Sequence, residues 1–214
     1  MNYLQAINAV LRRLREDEVA TYTQSVYAKL IGDFVNEAKR EVEDAWNWTQ
    51  LRTKLTVTTA ASDDSYTLTG SGDRYRILQV INDTQDTLMR QIGYTDLNSF
   101  KDIGSSTNDS PLYYNIQGST SGDADILVYP TPDAVETLNF YMVVPQDDIA
   151  AGTTEITVPS NPVVLGAYAK AVSERGEDGG TLYAEALIRY DKAVSDAIAM
   201  DSLNAQDELN WVTN

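Results

Sequence analysis

Two pairs of aspartates are the residues of this chain whose type and spacing could do chemistry. Asp123 and Asp125 are separated by one residue, and Asp147 and Asp148 are adjacent. Carboxylate oxygens bind Ca²⁺, and two carboxylates can hydrolyse a glycosidic bond without a histidine. The chain holds 32 acidic residues among 214, so such pairs also arise by chance. We therefore expect neither a catalytic centre nor a metal site from these pairs alone.

The absence of cysteine and histidine excludes most other catalytic chemistry. The chain contains no residue of either type. It therefore cannot build a thiolate zinc site, a Cys nucleophile, a Ser-His-Asp triad or a disulfide framework from its own residues. The segment Gly70-Ser71-Gly72-Asp73 lacks the glycine spacing and the Lys-Ser/Thr pair of a phosphate loop, so it reads as a hairpin or loop. We therefore expect that the chain binds no cofactor and is not an enzyme.

Charge limits the partners of this protein. The net charge is -16, and residues 53–159 contribute -10 of it, from 5 basic and 15 acidic side chains. This balance argues against ordinary binding to a phosphate backbone. A solvated acidic face explains it, and so does an acidic wall along a DNA passage, which would keep a duplex from adhering. No basic and apolar leader or membrane-length apolar run is visible, so we expect a protein that is made without a secretion signal and does not enter a membrane.

The elements that would position any site fall into a helix, strand, helix order. Apolar residues recur at spacings of three and four near both ends. They predict helices over 2–16, 23–48, 162–176 and 181–202, with Asn161 as N-cap before Pro162. Trp46 and Trp48 mark the change from helix to strand, where they could anchor the core or contact a neighbouring subunit. Four helices drawn from both ends predict a bundle.

The middle of the chain changes to a period of two. Seven β-branched and aromatic runs with turn signals between them predict strands, and 94–101 reads as a short helix. The runs are 55–58, 66–68, 75–81, 87–91, 112–116, 125–129 and 138–144. The fold class is therefore α+β, with an antiparallel β-sandwich or small barrel inserted in the four-helix bundle. The predicted domains are a discontinuous helical domain, 1–52 with 160–214, and a β domain, 53–159.

The segment 203–214 is predicted as a tail with two possible roles. Leu203, Leu209 and Trp211 are apolar residues in an otherwise polar stretch. They could fold back onto the bundle, or they could dock on a partner.

These ordered features resemble bacteriophage head-to-tail adaptor (connector) proteins, in particular the tail tubular protein A type. The resemblance spans nearly the whole chain and rests on packing and turn motifs in a collinear order. They are Leu11-Arg12-Arg13-Leu14, the helix over 34–42, Trp46 with Trp48, Pro111-Leu112-Tyr113-Tyr114, and Tyr129-Pro130-Thr131-Pro132-Asp133. The resemblance implies a virion protein forming a twelve-fold ring, docked on the portal protein and followed by a tail or nozzle protein, around a passage for DNA. It carries over no catalytic residue.

Two other functions compete with this hypothesis. Tyr113, Tyr114, Tyr129 and Tyr141 could stack on sugars, which would suit a carbohydrate-binding or carboxylate-dependent cell-wall hydrolase module of a tail. The acidic surface could also mimic DNA in a regulatory protein. Aromatic residues at alternating strand positions more often fill a core or a subunit interface, so the structural connector remains the leading hypothesis.

Overall fold

The structure is a computed structural model that describes residues 1–103, 108–176 and 181–204. These residues contain five α-helices and seven β-strands, so the predicted α+β class is confirmed. The helices are α1 (Tyr3–Arg13), α2 (Val26–Ala45), α3 (Tyr94–Ile103), α4 (Ser160–Glu174) and α5 (Thr181–Asn204). The strands are β1 (Arg52–Thr58), β2 (Ser65–Leu68), β3 (Arg76–Asn82), β4 (Thr87–Gln91), β5 (Tyr113–Thr120), β6 (Asp123–Tyr129) and β7 (Thr137–Val143).

The chain forms two compact units. One is helical and combines Met1–Leu51 with Gln146–Asn214, and the other is the strand unit Arg52–Pro145. Residues 146–159, which periodicity groups with the strands, belong to the helical unit.

Capping residues set where the first helices begin. The Asn2 side chain accepts a hydrogen bond from the Gln5 backbone N–H at 2.9 Å, and the Asn2 backbone N–H donates to Gln5 Oε1 at 3.0 Å, which completes a capping box. Ser25 caps α2 by accepting from the Ala28 N–H at 3.0 Å. Because Ser25 is extended, α2 begins at Val26 rather than at the predicted residue 23.

The start of α4 differs from its prediction. Asn161 does not serve as N-cap, because the helix begins at Ser160 and Pro159 holds the cap position without a side-chain hydrogen bond. The predicted stop at Gly176 agrees with the structure, in which Gly176 has a φ of 72° just past the helix end. Helix α4 packs against α1, α2 and α5.

The strand unit is one seven-stranded sheet, so the predicted sandwich of two antiparallel sheets is wrong. Its order is β1-β7-β3-β4-β5-β6-β2, and the edge strands β1 and β2 contact each other, which nearly closes a barrel. This agrees with the small-barrel alternative, except that β4 and β5 pair in parallel. A parallel pair needs a crossover connection rather than a tight turn, and α3 lies in that connection.

Alternation along the strands gives the sheet an apolar inner face. The inner positions hold the core of this unit: Val57, Leu68, Val80, Met89, Tyr114, Ala124, Ile126, Val128, Leu138, Phe140 and Met142. Tyr114 and Phe140 meet edge to face there, with ring centroids 5.8 Å apart. A bulge between Ile77 and Gln79 adds Leu78, which is exposed.

Candidate interaction surfaces

The predicted aspartate pairs serve as hydrogen-bond acceptors and ion-pair partners in the structure. Asp123 accepts from the backbone N–H groups of Gly70 and Gly72, both at 3.0 Å. These hydrogen bonds hold the pKa of the Asp123 carboxyl below its usual value. Asp125 accepts from the hydroxyls of Thr67 and Thr120, both at 2.7 Å. The first pair therefore organises the Gly70-Ser71-Gly72 loop and the strand beside it.

The second pair lies in the helical unit. Asp148 forms an ion pair with Arg40, and Asp147 uses its backbone carbonyl to accept from Lys39. Among the described residues, no three His, Cys, Asp or Glu side chains cluster in a way that could hold a metal ion. Each pair makes its described contacts within its own unit.

One face of α2 clamps the segment that returns from the strand unit. Asn36 both donates to the carbonyl and accepts from the N–H of Ile149, at 3.2 and 3.0 Å. One turn further along, the fully buried Lys39 ammonium donates to Glu43 Oε1 at 3.1 Å and to the carbonyls of Gln146 at 2.5 Å and Asp147 at 3.1 Å. Glu43 Oε1 also accepts from the Gln146 N–H at 3.2 Å. Side chains thus satisfy backbone groups that have no strand partner.

Sequence reasoning missed this clamp because it treated α2 only as an apolar stripe. A signal was present: Lys39 and Glu43 follow Ala38 and Val42 directly, so charged residues border the buried face at a spacing of four. The side chains of both charged residues are fully buried. Their partners, which lie more than a hundred positions away, cannot be read from that spacing.

A second buried carboxylate, also missed, lies at one end of the strand unit. Glu136 is almost fully buried and accepts from the side-chain amides of Asn82 and Gln85 and from the Ser110 hydroxyl. Its backbone N–H donates to Thr59 Oγ1 at 2.8 Å. Glu136 therefore ties together the connections around β1, β3, β5 and β7.

Helix α3 covers the outer side of β5 and β6 with an aromatic cluster. The Phe100 ring lies 6.1 Å from that of Tyr113 and 5.6 Å from that of Tyr129, between centroids. Tyr114 points into the core instead, and Tyr141 lies on β7. The four tyrosines considered as a sugar platform are thus divided among three environments.

The outer side of β7, β3 and β4 carries exposed apolar residues. Tyr141, Leu78 and Leu88 are 37%, 43% and 56% exposed. Outer positions that flank them hold Lys54 on β1 and Arg90 on β4, both exposed. This surface, called the sheet face below, is defined by these five residues. Its mixture of apolar centre and charged border is typical of a protein interface.

The end of α5 is fixed to the exit of α2. The Asp201 carboxylate accepts from Trp46 Nε1 at 3.1 Å and from the N–H and hydroxyl of Thr49 at 3.1 and 2.6 Å. Trp48 is fully buried and donates from Nε1 to the Val42 carbonyl at 2.6 Å. The prediction that the tryptophans anchor this junction is confirmed.

The tail residues predicted to dock are only partly within the structure. Leu203 lies in the last turn of α5 and is 70% exposed, beside Met200 at 66%. Leu209 and Trp211 lie outside the described residues. Leu203 and Met200 therefore provide an exposed apolar site where the described part of α5 ends.

A cleft of about 590 Å³ lies between α2, α4 and α5. Lys170 in its wall pairs with Glu41 at 2.7 Å and Glu37 at 3.3 Å. Burial opposes the charge of Lys170, but the hydrogen bonds and charges of these carboxylates outweigh it and raise its pKa. Burial and the nearby Glu41 raise the pKa of Tyr190, whose hydroxyl donates to Glu41 at 3.3 Å. Lys170 and Tyr190 thus both bind Glu41 at this cleft.

Four buried charged residues of the described part bind groups of the protein itself: Lys39, Glu43, Glu136 and Asp201. Several large apolar side chains, among them Leu78, Leu88 and Leu203, are exposed. Within the described residues, no helix combines the length and the apolar content needed to cross a membrane. Exposed apolar side chains of this kind are typical of surfaces that contact other proteins.

Comparison with known proteins supplies the family. The chain matches the SU10 adaptor protein family over residues 1–210 and belongs to it. The expectation of a phage head-to-tail adaptor, a structural component of the virion, is therefore confirmed. No curated protein matches the chain.

Proposed function

We propose that this chain forms a twelve-fold homo-oligomeric ring that docks on the portal protein and connects it to the next tail or nozzle protein. DNA passes through the centre of the ring without specific binding. The ring occupies the head-tail interface of the virion, in a position like that of the tail tubular protein A type, after assembly in the host cytoplasm. Membership of the SU10 adaptor protein family carries this proposal.

The division of the chain into two units supports different roles for them in the ring: the helical unit as a rigid frame, and the strand unit as a surface that contacts neighbouring subunits. The helices from both chain ends act as a four-helix bundle that gives the subunit a rigid frame, held by the Lys39–Glu43 clamp and the Asp201 hydrogen bonds. The strand unit presents its outer surface to neighbours. A rigid frame suits a ring, because an assembled interface loses less entropy when its surfaces are already ordered.

Charge supports the passage of DNA. The net charge of -16 opposes lasting contact with phosphate groups. A ring that holds the head contents and later releases them must let the duplex slide, and weak repulsion permits this.

The end of the chain supports docking on the portal protein. Exposed Leu203 begins the segment 203–214, in which Leu209 and Trp211 are further apolar residues. Large apolar side chains that enter a partner's pocket supply most of the energy of such contacts. We assign Leu203, Leu209 and Trp211 to portal docking.

Native mass spectrometry of the purified chain with purified portal protein tests the proposal. A ring mass and a ring-portal complex are expected. Serine substitutions at Leu203, Leu209 and Trp211 should weaken portal binding and leave the ring intact. Ile188→Ser, which alters an equally exposed residue of α5, is the matched control. A chain that forms no ring and binds no portal under assembly conditions would refute the proposal.

A further inference from the structure

The charges of the strand unit are segregated around the sheet. Outer positions of the contiguous strands β1, β7, β3 and β4 hold the basic residues Arg52, Lys54, Arg76 and Arg90, and none of these positions is acidic. This is notable in a chain with twice as many acidic as basic residues. Lys54 and Arg90 are the exposed members and carry the inference that follows. They border Leu78, Leu88 and Tyr141 in the sheet face.

The opposite character is found on α3. The exposed part of this helix presents Asp96, Asp102 and Ile103. Phe100 lies at its border, because its ring rests on Tyr113 and Tyr129 while part of it stays exposed. Ile103 is 85% exposed and Phe100 is 43% exposed. This surface, called the helix face below, has an apolar centre and an acidic border, and it is the charge complement of the sheet face.

The two faces lie on different strands of the nearly closed sheet. The sheet face is centred on β3, whereas α3 rests on β5 and its Phe100 also meets Tyr129 of β6. They are thus two to three strands apart and point in different directions. Two unlike, complementary surfaces on one subunit give a head-to-tail contact, which generates rings when the rotation closes.

We infer that the helix face of one copy packs on the sheet face of the next copy, so that the strand units form a belt of ring contacts. This inference rests on the ring of the proposed function and names the surfaces that build it. The apolar residues supply burial, and the charges select the orientation and disfavour packing of like faces.

A second copy fits the sheet face better than DNA does. Leu78, Leu88 and Tyr141 occupy its centre, whereas sites that bind phosphate backbones rely on basic and small polar groups. Two exposed cations at the border are also few against the overall negative charge.

Charge exchange between the faces tests the inference in the 214-residue chain. The sheet-face variant carries Lys54→Glu and Arg90→Glu, and the helix-face variant carries Asp96→Lys and Asp102→Lys. Each should weaken self-association about tenfold or more, because like charges then meet across the contact. A chain with all four substitutions should regain the ring, since the charges are again complementary.

The readouts are sedimentation velocity and native mass spectrometry, with thermal melts to verify folding. Arg189→Glu with Lys192→Glu is the matched control, because it makes the same charge change at two exposed residues of α5. The control should form rings like the unchanged protein.

The outcomes separate this inference from the proposed function. If the unchanged protein forms no ring, alone or with portal protein, the ring and this inference both fail. If both two-site variants form rings, or if the four-site chain does not recover, the assignment of faces fails and the ring stands. A last outcome concerns DNA. If the unchanged protein binds duplex DNA in a salt-dependent way, and the sheet-face variant loses this binding but still forms rings, then the sheet face is a DNA contact and the inference is wrong.

Discussion

Lys39→Met tests the clamp between α2 and the segment after β7. The Lys39 ammonium is fully buried and donates to one carboxylate oxygen and two carbonyls. Methionine keeps most of the volume but removes the charge and all three donors. Glu43 then stays buried without this cation, and two carbonyls lose their partner. Breaking a buried ion pair from one side costs about 3–5 kcal/mol.

Tryptophan fluorescence during urea unfolding measures this loss. Trp46 and Trp48 lie in the helical unit, so their emission reports the unit that holds the clamp. A loss of this size is a large part of the roughly 5–15 kcal/mol that stabilises a typical domain. At about 2–4 °C per kcal/mol for a chain of this length, the melting temperature should fall by about 10 °C.

Lys170→Met is the matched control. Lys170 also pairs with carboxylates, but its partners Glu37 and Glu41 are about half exposed. Loss of such a pair should cost about 0–1 kcal/mol. If Lys39→Met destabilises the protein no more than Lys170→Met does, the argument from burial is wrong. Lys39→Met with Glu43→Leu should lose less than Lys39→Met alone, because no carboxylate is then left buried.

Three further predictions concern other contacts. Glu136→Gln places an amide donor against side chains that already donate. It should lower the free energy of unfolding, measured in urea, by about 1–3 kcal/mol. The control Asp133→Asn, at an exposed position, should change it by no more than about 0.5 kcal/mol. Gly166→Ala should lower the free energy of unfolding by about 1–3 kcal/mol in the same assay, because the new Cβ would lie 3.1 Å from the Ala38 Cβ. This crowding outweighs the better helix propensity of alanine. The control Gly152→Ala, whose new Cβ would have ordinary contact distances, should be tolerated. The hydrogen bonds from Gly70 and Gly72 lower the pKa of the Asp123 carboxyl. Its stabilisation of the Gly70-Ser71-Gly72 loop is therefore present above the unfolded-state pKa and disappears as pH falls through the folded-state value. The protection of this loop's amides against exchange, followed by NMR and corrected for the intrinsic exchange rate at each pH, should fall over this acidic range. Unchanged protection there would contradict the assignment.

Local pattern accounts for most of the secondary structure. Each predicted helix and strand corresponds to an observed element, because helix and strand periodicities are properties of neighbouring residues. The boundaries moved at two helix starts: the Ser25 cap sets the start of α2, and α4 begins at Ser160 without a side-chain cap. The lack of histidine and cysteine likewise limits the chemistry through composition alone.

The interaction surfaces could be predicted only in part. Leu203 was named from its place after a helical pattern, and the structure shows it exposed. The sheet face was not predicted, because Lys54, Arg90 and Tyr141 are distant in sequence and become neighbours only through the order β1-β7-β3-β4. The number of strands alone does not reveal that order.

Sequence by itself determined the α+β fold class, the order of helices and strands along the chain, and the exclusion of chemistry that needs histidine or cysteine. All three depend on composition and on residues a few positions apart. Tertiary structure decided that β4 and β5 run parallel, that the sheet nearly closes, and that Lys39 and Glu136 are buried with partners from other segments. The physical reason is that the cost of burying a charge depends on which groups surround it. Those groups are brought together by the pairing of distant segments, which no local pattern contains.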